Sequence, residues 1–302
     1  MSTRAVVRQA VGDDAEAVSA VRRAVYPYKA MSPAATRHMI TVQTPEERFL
    51  PLVAERDGAI VAWGAAGLNL WTSEPGQSHL TIYVHPDHRK QGIGSELAAR
   101  LHQHLTEVGA VRAKTFVHPD GLEFARNLGY DGTRQLHFSG LELTSLPAQP
   151  PTPDGIELVA YDSVDPRVHF EADTAAGLDE PSDTPMDAVP YDQWLEEIWN
   201  SPSLDKALSV GAMAGDEMVA FTSVETDGDR MWSGFTGTIP AYRGKGLSKL
   251  VKSVALRRAK AAGITSAYTS NDDENSPMLA INNWLGYRRV QTELCLLRTV
   301  DN

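Results

Sequence analysis

The chain repeats itself. Arg89-Lys90-Gln91-Gly92-Ile93-Gly94 returns as Arg243-Gly244-Lys245-Gly246-Leu247-Ser248, an offset of 154 residues. Pro86 and Pro240 precede these segments, and Gly109 and Gly263 follow them, at the same offset. Leu128-Gly129-Tyr130 returns as Leu285-Gly286-Tyr287 at an offset of 157. An ordered set of matches at nearly constant spacing marks two copies of one domain. Between them, residues 147 to 153 hold four prolines in seven positions, which neither a helix nor a central strand admits. The expected organisation is an N-terminal domain over 1–146, an extended Pro-rich linker over 147–155 and a C-terminal domain over 156–302.

Both copies have the same local grammar. In the first, Leu80, Ile82 and Val84 alternate with Thr81 and Tyr83 as a strand. After the Gly-rich turn, Ile93, Leu97, Leu101, Leu105 and Val108 fall on one helical face. Gly109 stops the helix, and Arg112 to Val117 forms another strand. In the second, Phe235 to Ile239 is the strand. Leu247, Leu250, Val251, Val254 and Ala255 form the helix face, Gly263 is the stop, and Thr265 to Ser270 is the next strand. Earlier strands are expected over Ala59 to Leu70 and Met218 to Glu225, and a first helix over Asp13 to Val25. Strands interleaved with helices predict an α/β fold with a mixed sheet in each copy.

A strand, a loop of small residues and a helix start together make an anion site. Backbone N–H groups are left without acceptors at the positive end of the helix. Gly92, Gly94 and Gly246 let an anion approach where a Cβ would obstruct it. Arg89, Lys90, Arg243 and Lys245 add positive charge. The chemistry suits a pyrophosphate. A Walker loop would need Gly-Lys-Ser/Thr after four spacers, and a Rossmann turn a third glycine; neither is present.

Val84 to Gly94 resembles the coenzyme A loop of the GNAT superfamily of N-acetyltransferases, of the form Gln/Arg-x-x-Gly-x-Gly/Ala. Thr238 to Ser248 is similar, departing by Ser248 at the last small position. Asn271 to Tyr287 resembles the superfamily's last helix with its Leu-Gly-Phe/Tyr end. The resemblance spans nearly the whole chain as a tandem pair. It implies two GNAT folds, each with a mixed, mostly antiparallel sheet flanked by helices. It also implies an acetyl-CoA-dependent N-acetyltransferase in which an amine attacks the thioester directly.

Carried over residue by residue, the amides of Gln91, Gly92, Ile93, Gly94 and Ser95 would hold the pyrophosphate. In the second copy the amides of Lys245, Gly246, Leu247, Ser248 and Lys249 would do so, with Gly244, Arg89 and Arg243 in or beside the loops. The strand ends at Ile82 and Val84, and at Thr236 and Thr238, would pair with the pantetheine, and Asn271 and Asn275 would reach its arm. The acid that many members supply as Tyr falls on Asn282, and in the first copy on Ala125; neither can protonate a thiolate. The best candidate base is Glu225, with His79 as its counterpart if the first copy is active. The rival reading is a CoA-binding sensor or scaffold.

Charge points to the acceptor. Residues 1–150 carry 15 basic and 15 acidic side chains, so the whole net charge of −11 lies in 151–302. Ten acids and no Lys or Arg fall between Glu171 and Asp205. Such a surface repels nucleic acid and anionic membranes and attracts an ammonium. A small-molecule or peptide amine is the expected acceptor, met by Asp179, Glu180, Asp183 and Trp194 in a catalytic second copy. No metal site is expected: His85 and His88 lack a third ligand. The lone Cys295, in an apolar run, reads as a core residue. With no apolar run of about 18 residues and no leader-like start, a cytoplasmic protein is expected.

Overall fold

The computed structural model describes residues 4–178 and 187–300. In chain order the elements are β1 (Val6–Gln9), α1 (Ala15–Val25), α2 (Pro33–Thr41), β2 (Leu50–Arg56), β3 (Ala59–Leu68), β4 (Gln77–Val84), α3 (Ile93–Glu107), β5 (Arg112–Val117), α4 (Leu122–Asn127) and β6 (Asp131–Glu142). There follow β7 (Glu157–Ala160), α5 (Pro166–Gly177), α6 (Tyr191–Trp194), β8 (Val210–Ala214), β9 (Glu217–Asp227), β10 (Arg230–Thr238), α7 (Leu247–Ala261), β11 (Ser266–Asp272), α8 (Ser276–Leu285) and β12 (Arg288–Thr299).

Two compact units share these elements. One is Met1–Pro27, Met31–Leu136 and Thr292–Asn302; the other is Tyr28–Ala30 and His137–Gln291. We call them the first and second units. The last strand β12 therefore ends in the first unit, where Leu294 to Thr299 pair antiparallel with Val117 to Arg112 of β5. Cys295 is buried there, as its apolar run predicts. The segment 147–155 has no helix or strand.

In the first unit β1, β2, β3 and β4 are antiparallel neighbours, and β4 lies parallel to β5. The apolar faces read from the sequence explain the layers. Ile93, Leu97, Leu101 and Leu105 of α3 bury against Leu52, Val61, Ala66 and Leu80 on one side of the sheet. Val18 and Ile40, from α1 and α2, pack with Val53, Trp63 and Ala65 on the other. Gly64 admits α3 closely, since a Cβ there would sit 3.0 Å from Leu101 Cδ1. The helix expected over Asp13–Val25 starts at Ala15 after a tighter turn over Gly12–Asp14. The buried Asp14 carboxylate holds that turn by accepting from the Val11 amide at 2.9 Å and pairing with Arg8 at 2.7 Å. The hydrogen bonds from Arg8 and Val11 hold its pKa below the usual carboxylate range, against the opposing effect of burial.

The second unit repeats the plan. β7, β8, β9 and β10 are antiparallel, and β10 lies parallel to β11. The sheet in each unit is thus mixed and mostly antiparallel, with helices against it. The strand expected over Phe235–Ile239 begins earlier, at Arg230. On α7 the buried face is wider than the apolar stripe: Lys252 and Ser253 are buried beside Leu250 and Val251. No described helix is long and apolar enough to cross a membrane.

Candidate active site

In each unit the parallel pair separates. β4 pairs with β5 only through Gln77, Ser78 and His79. β10 pairs with β11 only through Arg230, Met231 and Trp232. Beyond these points the described strands have no ladder between them, which leaves room on one edge of Leu80–Val84 and of Gly234–Thr238 for another extended chain. Ile82, Val84, Thr236 and Thr238 all fall on these stretches.

Each open edge ends at a loop of the same shape. Gly92 and Gly246, at the starts of α3 and α7, have φ of 80° and 78°. Two residues earlier, Lys90 and Gly244 are also left-handed, at 61° and 77°. Arg89 Nε donates to the Val84 carbonyl at 3.2 Å, and Arg243 Nε to the Thr238 carbonyl at 3.0 Å. The first intrahelical bonds are Glu96 N to Gly92 O and Leu250 N to Gly246 O. The amides of Ile93, Gly94 and Ser95, and of Leu247, Ser248 and Lys249, precede them and have no acceptor within their helices. No heavy atom lies within 4 Å of where a Cβ would stand on Gly92 or Gly246, so both glycines face open space. The geometry of both loops suits an anion such as a diphosphate.

The loops differ in detail. Ser248, the departure from small residues, has a partner: its hydroxyl meets Thr238 Oγ1 at 2.6 Å. Gly94 in its place packs closely, a Cβ there standing 3.3 Å from the Phe124 ring. Gln91 accepts from Arg56 and donates to the Asp87 carbonyl at 3.4 Å. Lys245 lies over the Tyr242 ring, 4.2 Å from its centroid.

The larger difference lies in the strands. β4 runs against β3 without interruption from Ser78 to Val84. β10 shifts register against β9 between Ser233 and Thr236, a bulge at Gly234 and Phe235. Polar groups pin it on several sides. Thr269 Oγ1 donates to the Ser233 carbonyl at 3.0 Å, Ser223 Oγ to the Phe235 carbonyl at 3.3 Å, and the Thr222 and Thr236 hydroxyls meet at 2.7 Å. Gly234 is required here, since a Cβ would stand 2.6 Å from Ser223 Oγ. The sequence carries no signal for the bulge beyond an isolated glycine in a strand.

The remaining predicted residues divide. Glu225, half-buried opposite Trp232, has Oε1 3.7 Å from the Cβ position of Gly234, so it stands beside the bulge. His79 pairs loosely with Glu47, Nε2 to Oε1 at 3.7 Å. Desolvation, with Lys114 nearby, pushes its pKa down to about 4, so its ring is neutral at pH 7. Asn275 caps α8, its Oδ1 accepting from Met278 N at 3.3 Å. Asn271 Oδ1 accepts from Asn282 Nδ2 at 2.5 Å, which engages one group of each amide. Trp194 does not face solvent. It is buried, stacked near Trp199 and Tyr191, and its Nε1 donates to Asp173 Oδ2 at 2.8 Å. An aromatic ring this apolar packs inward, which leaves it no surface for an acceptor. Asp179, Glu180 and Asp183 lie outside the described residues.

Residues 17–130 match the family model described as Acetyltransferase (GNAT) family. The chain carries a GNAT acetyltransferase domain. Among curated proteins, mycothiol acetyltransferase of Nocardioides sp. is 26% identical over 223 residues, covering 69% of this chain and 76% of that protein. Mycothiol acetyltransferase of Actinosynnema mirum is 26% identical over 248 residues, covering 80% and 82%. Among solved structures, a tandem GNAT protein from the clavulanic acid biosynthesis pathway superposes with a TM-score of 0.75 at 17% identity, covering 99% of each chain. A GCN5-related N-acetyltransferase from Sphaerobacter thermophilus superposes with a TM-score of 0.71 at 17% identity, covering 99% of this chain and 96% of that one. The GNAT domain found by the family model is the first unit's, and the tandem neighbour extends the same fold over the whole chain. The family match thus lies in residues 17–130, and the fold of the whole chain is that of the tandem GNAT neighbour.

Proposed function

We propose that this protein moves an acetyl group from acetyl-CoA to a primary amine in a ternary complex, and that the chemistry belongs to the second unit. The bulge of β10 carries this reading, because it stands beside the open strand edge and beside a diphosphate cradle. A bulge takes amides out of the ladder and turns them toward a bound group, which an uninterrupted strand such as β4 does not do. Acetyl-CoA, when bound, supplies the activated acyl group. The amides of Lys245 to Lys249 would hold its diphosphate and the edge of Thr236–Thr238 its extended arm. Glu225 beside the bulge would take the proton of the attacking amine. The repeats over 1–146 and 156–302, joined by 147–155, are proposed as the inherited domains, with the first chiefly supporting.

The acceptor is proposed to be cationic, a small molecule or peptide amine. Asp173 is committed to Trp194, but the other nine acids between Glu171 and Asp205 leave a strongly negative stretch. The relatives' name, mycothiol acetyltransferase, puts mycothiol-related amines first in any panel. The sensor reading draws on Asn282, which occupies the expected acid position and is tied to Asn271. One assay separates the two: free thiol released from acetyl-CoA in the presence of each amine. Amine-dependent release that weakens with salt, and falls about 100-fold in Glu225→Gln, is the expected result. CoA binding without release on any amine favours the sensor.

A further inference from the structure

Lys252 is a charged residue type in a place made for apolar ones. It lies on α7, 2% exposed, and its Nζ donates to Ser233 Oγ at 2.8 Å. Ser233 is the last residue of β10 in register before the bulge. The Tyr287 ring lies 5.8 Å from the same Nζ, and its hydroxyl is buried beside Ser233. Burying a lysine takes its ammonium out of water and is uphill unless hydrogen bonds offset the loss, and desolvation pulls this one down to about 7.

The repeat supplies the control. Counting from the parallel pairings, Ser233 follows Trp232 as Leu80 follows His79. Lys252 stands five residues after Leu247, as Ala98 stands five after Ile93. The first unit therefore fills both positions with buried apolar side chains, and its strand has no bulge. Only the unit with the bulge has the lysine and the serine.

Resting on the reading of the second unit as the acetyl-transfer half, we propose that Lys252 is a positioning residue. Through Ser233 it fixes the bulge of β10 and so aims the Gly234 and Phe235 amides at the thioester carbonyl. Lys252 holds Ser233 from the helix side, Thr269 holds its carbonyl from β11, and Ser223 holds the Phe235 carbonyl from β9. Removing the helix-side pin leaves the strand free to return to the unbroken ladder of its counterpart.

The test exchanges the pair for its counterpart. Ser233→Leu with Lys252→Ala moves volume from helix to strand and matches what the first unit already packs. It is made in a Gly92→Asp background, so that only the second cradle takes acetyl-CoA. The readouts are the unfolding midpoint, the Kd for acetyl-CoA, and the infrared carbonyl band of bound [1-13C]acetyl-CoA, which needs no acceptor. The midpoint is expected to hold or rise and Kd to stay within about two-fold, while the band returns toward its position in free acetyl-CoA. With an active acceptor, kcat is expected to fall at least about ten-fold at unchanged KM for acetyl-CoA. If the double variant does not fold, Lys252→Met is measured in the same way. A bound band that stays where wild type has it overturns the assignment alone. A Gly92→Asp protein showing no bound acetyl-CoA overturns the acetyl-transfer reading of this unit, and the assignment with it.

Discussion

His169 shows at the level of one residue how burial decides chemistry. It is 1% exposed on α5, ringed by Tyr161, Trp194, Trp199 and Phe221, and neither ring nitrogen has a partner. Desolvation pushes its pKa down to about 3. The folded chain therefore keeps it neutral while the unfolded chain protonates it below about 6.5. Between these values the unfolded state binds more protons, so stability is full above about pH 6.5 and falls as pH falls toward 3. At pH 5 the loss from this residue is about 2 kcal/mol. His169→Phe is expected to flatten the pH dependence of chemical unfolding by that amount. A variant as acid-sensitive as wild type would show that the imidazole is not held neutral. Nothing in the sequence marks His169 as different from the eight other histidines, because its environment comes from residues up to 52 positions away. Trp194 was hidden for the same reason. Its polar edge is satisfied by Asp173, one of the acids that composition alone assigns to an acceptor.

Among the elements, the loops and helix faces were legible because they are local. A glycine at a left-handed position, a strand before it and an apolar stripe after it are all written within about 25 residues. The bulge, the buried Lys252 and the destination of β12 were not, since each depends on which strand becomes a neighbour. β12 is the clearest case. Its Arg298 Nη1 donates to His102 Nδ1 at 2.7 Å, which leaves the proton on Nε2 to face Tyr130 Oη at 3.1 Å. Desolvation, then Arg298, brings His102 down to about 4. Arg298→Met is expected to cost about 1–2 kcal/mol in unfolding free energy and to raise the His102 pKa measured by NMR. An unmoved His102 pKa would mean that the strand does not reach it in solution.

For the molecule as a whole, duplication explains both what is shared and what is not. The two Arg-to-carbonyl bonds, at Val84 and Thr238, and the two left-handed glycines recur at the same offset of 154. Inherited geometry is therefore the same cradle twice. The polar pins around Gly234 and the net negative charge are confined to the second copy. Such a division fits the proposed working and supporting halves and the cationic acceptor proposed for the acidic copy. The measurement that tests this most directly is the rate of amine-dependent thiol release from acetyl-CoA by Gly246→Asp and Gly92→Asp. Aspartate tolerates the left-handed backbone and meets open space at both positions, yet its charge repels a diphosphate. Release is expected to fall at least about 100-fold in Gly246→Asp and to stay within about three-fold of wild type in Gly92→Asp. The reverse order would place the chemistry in the first unit and contradict the account.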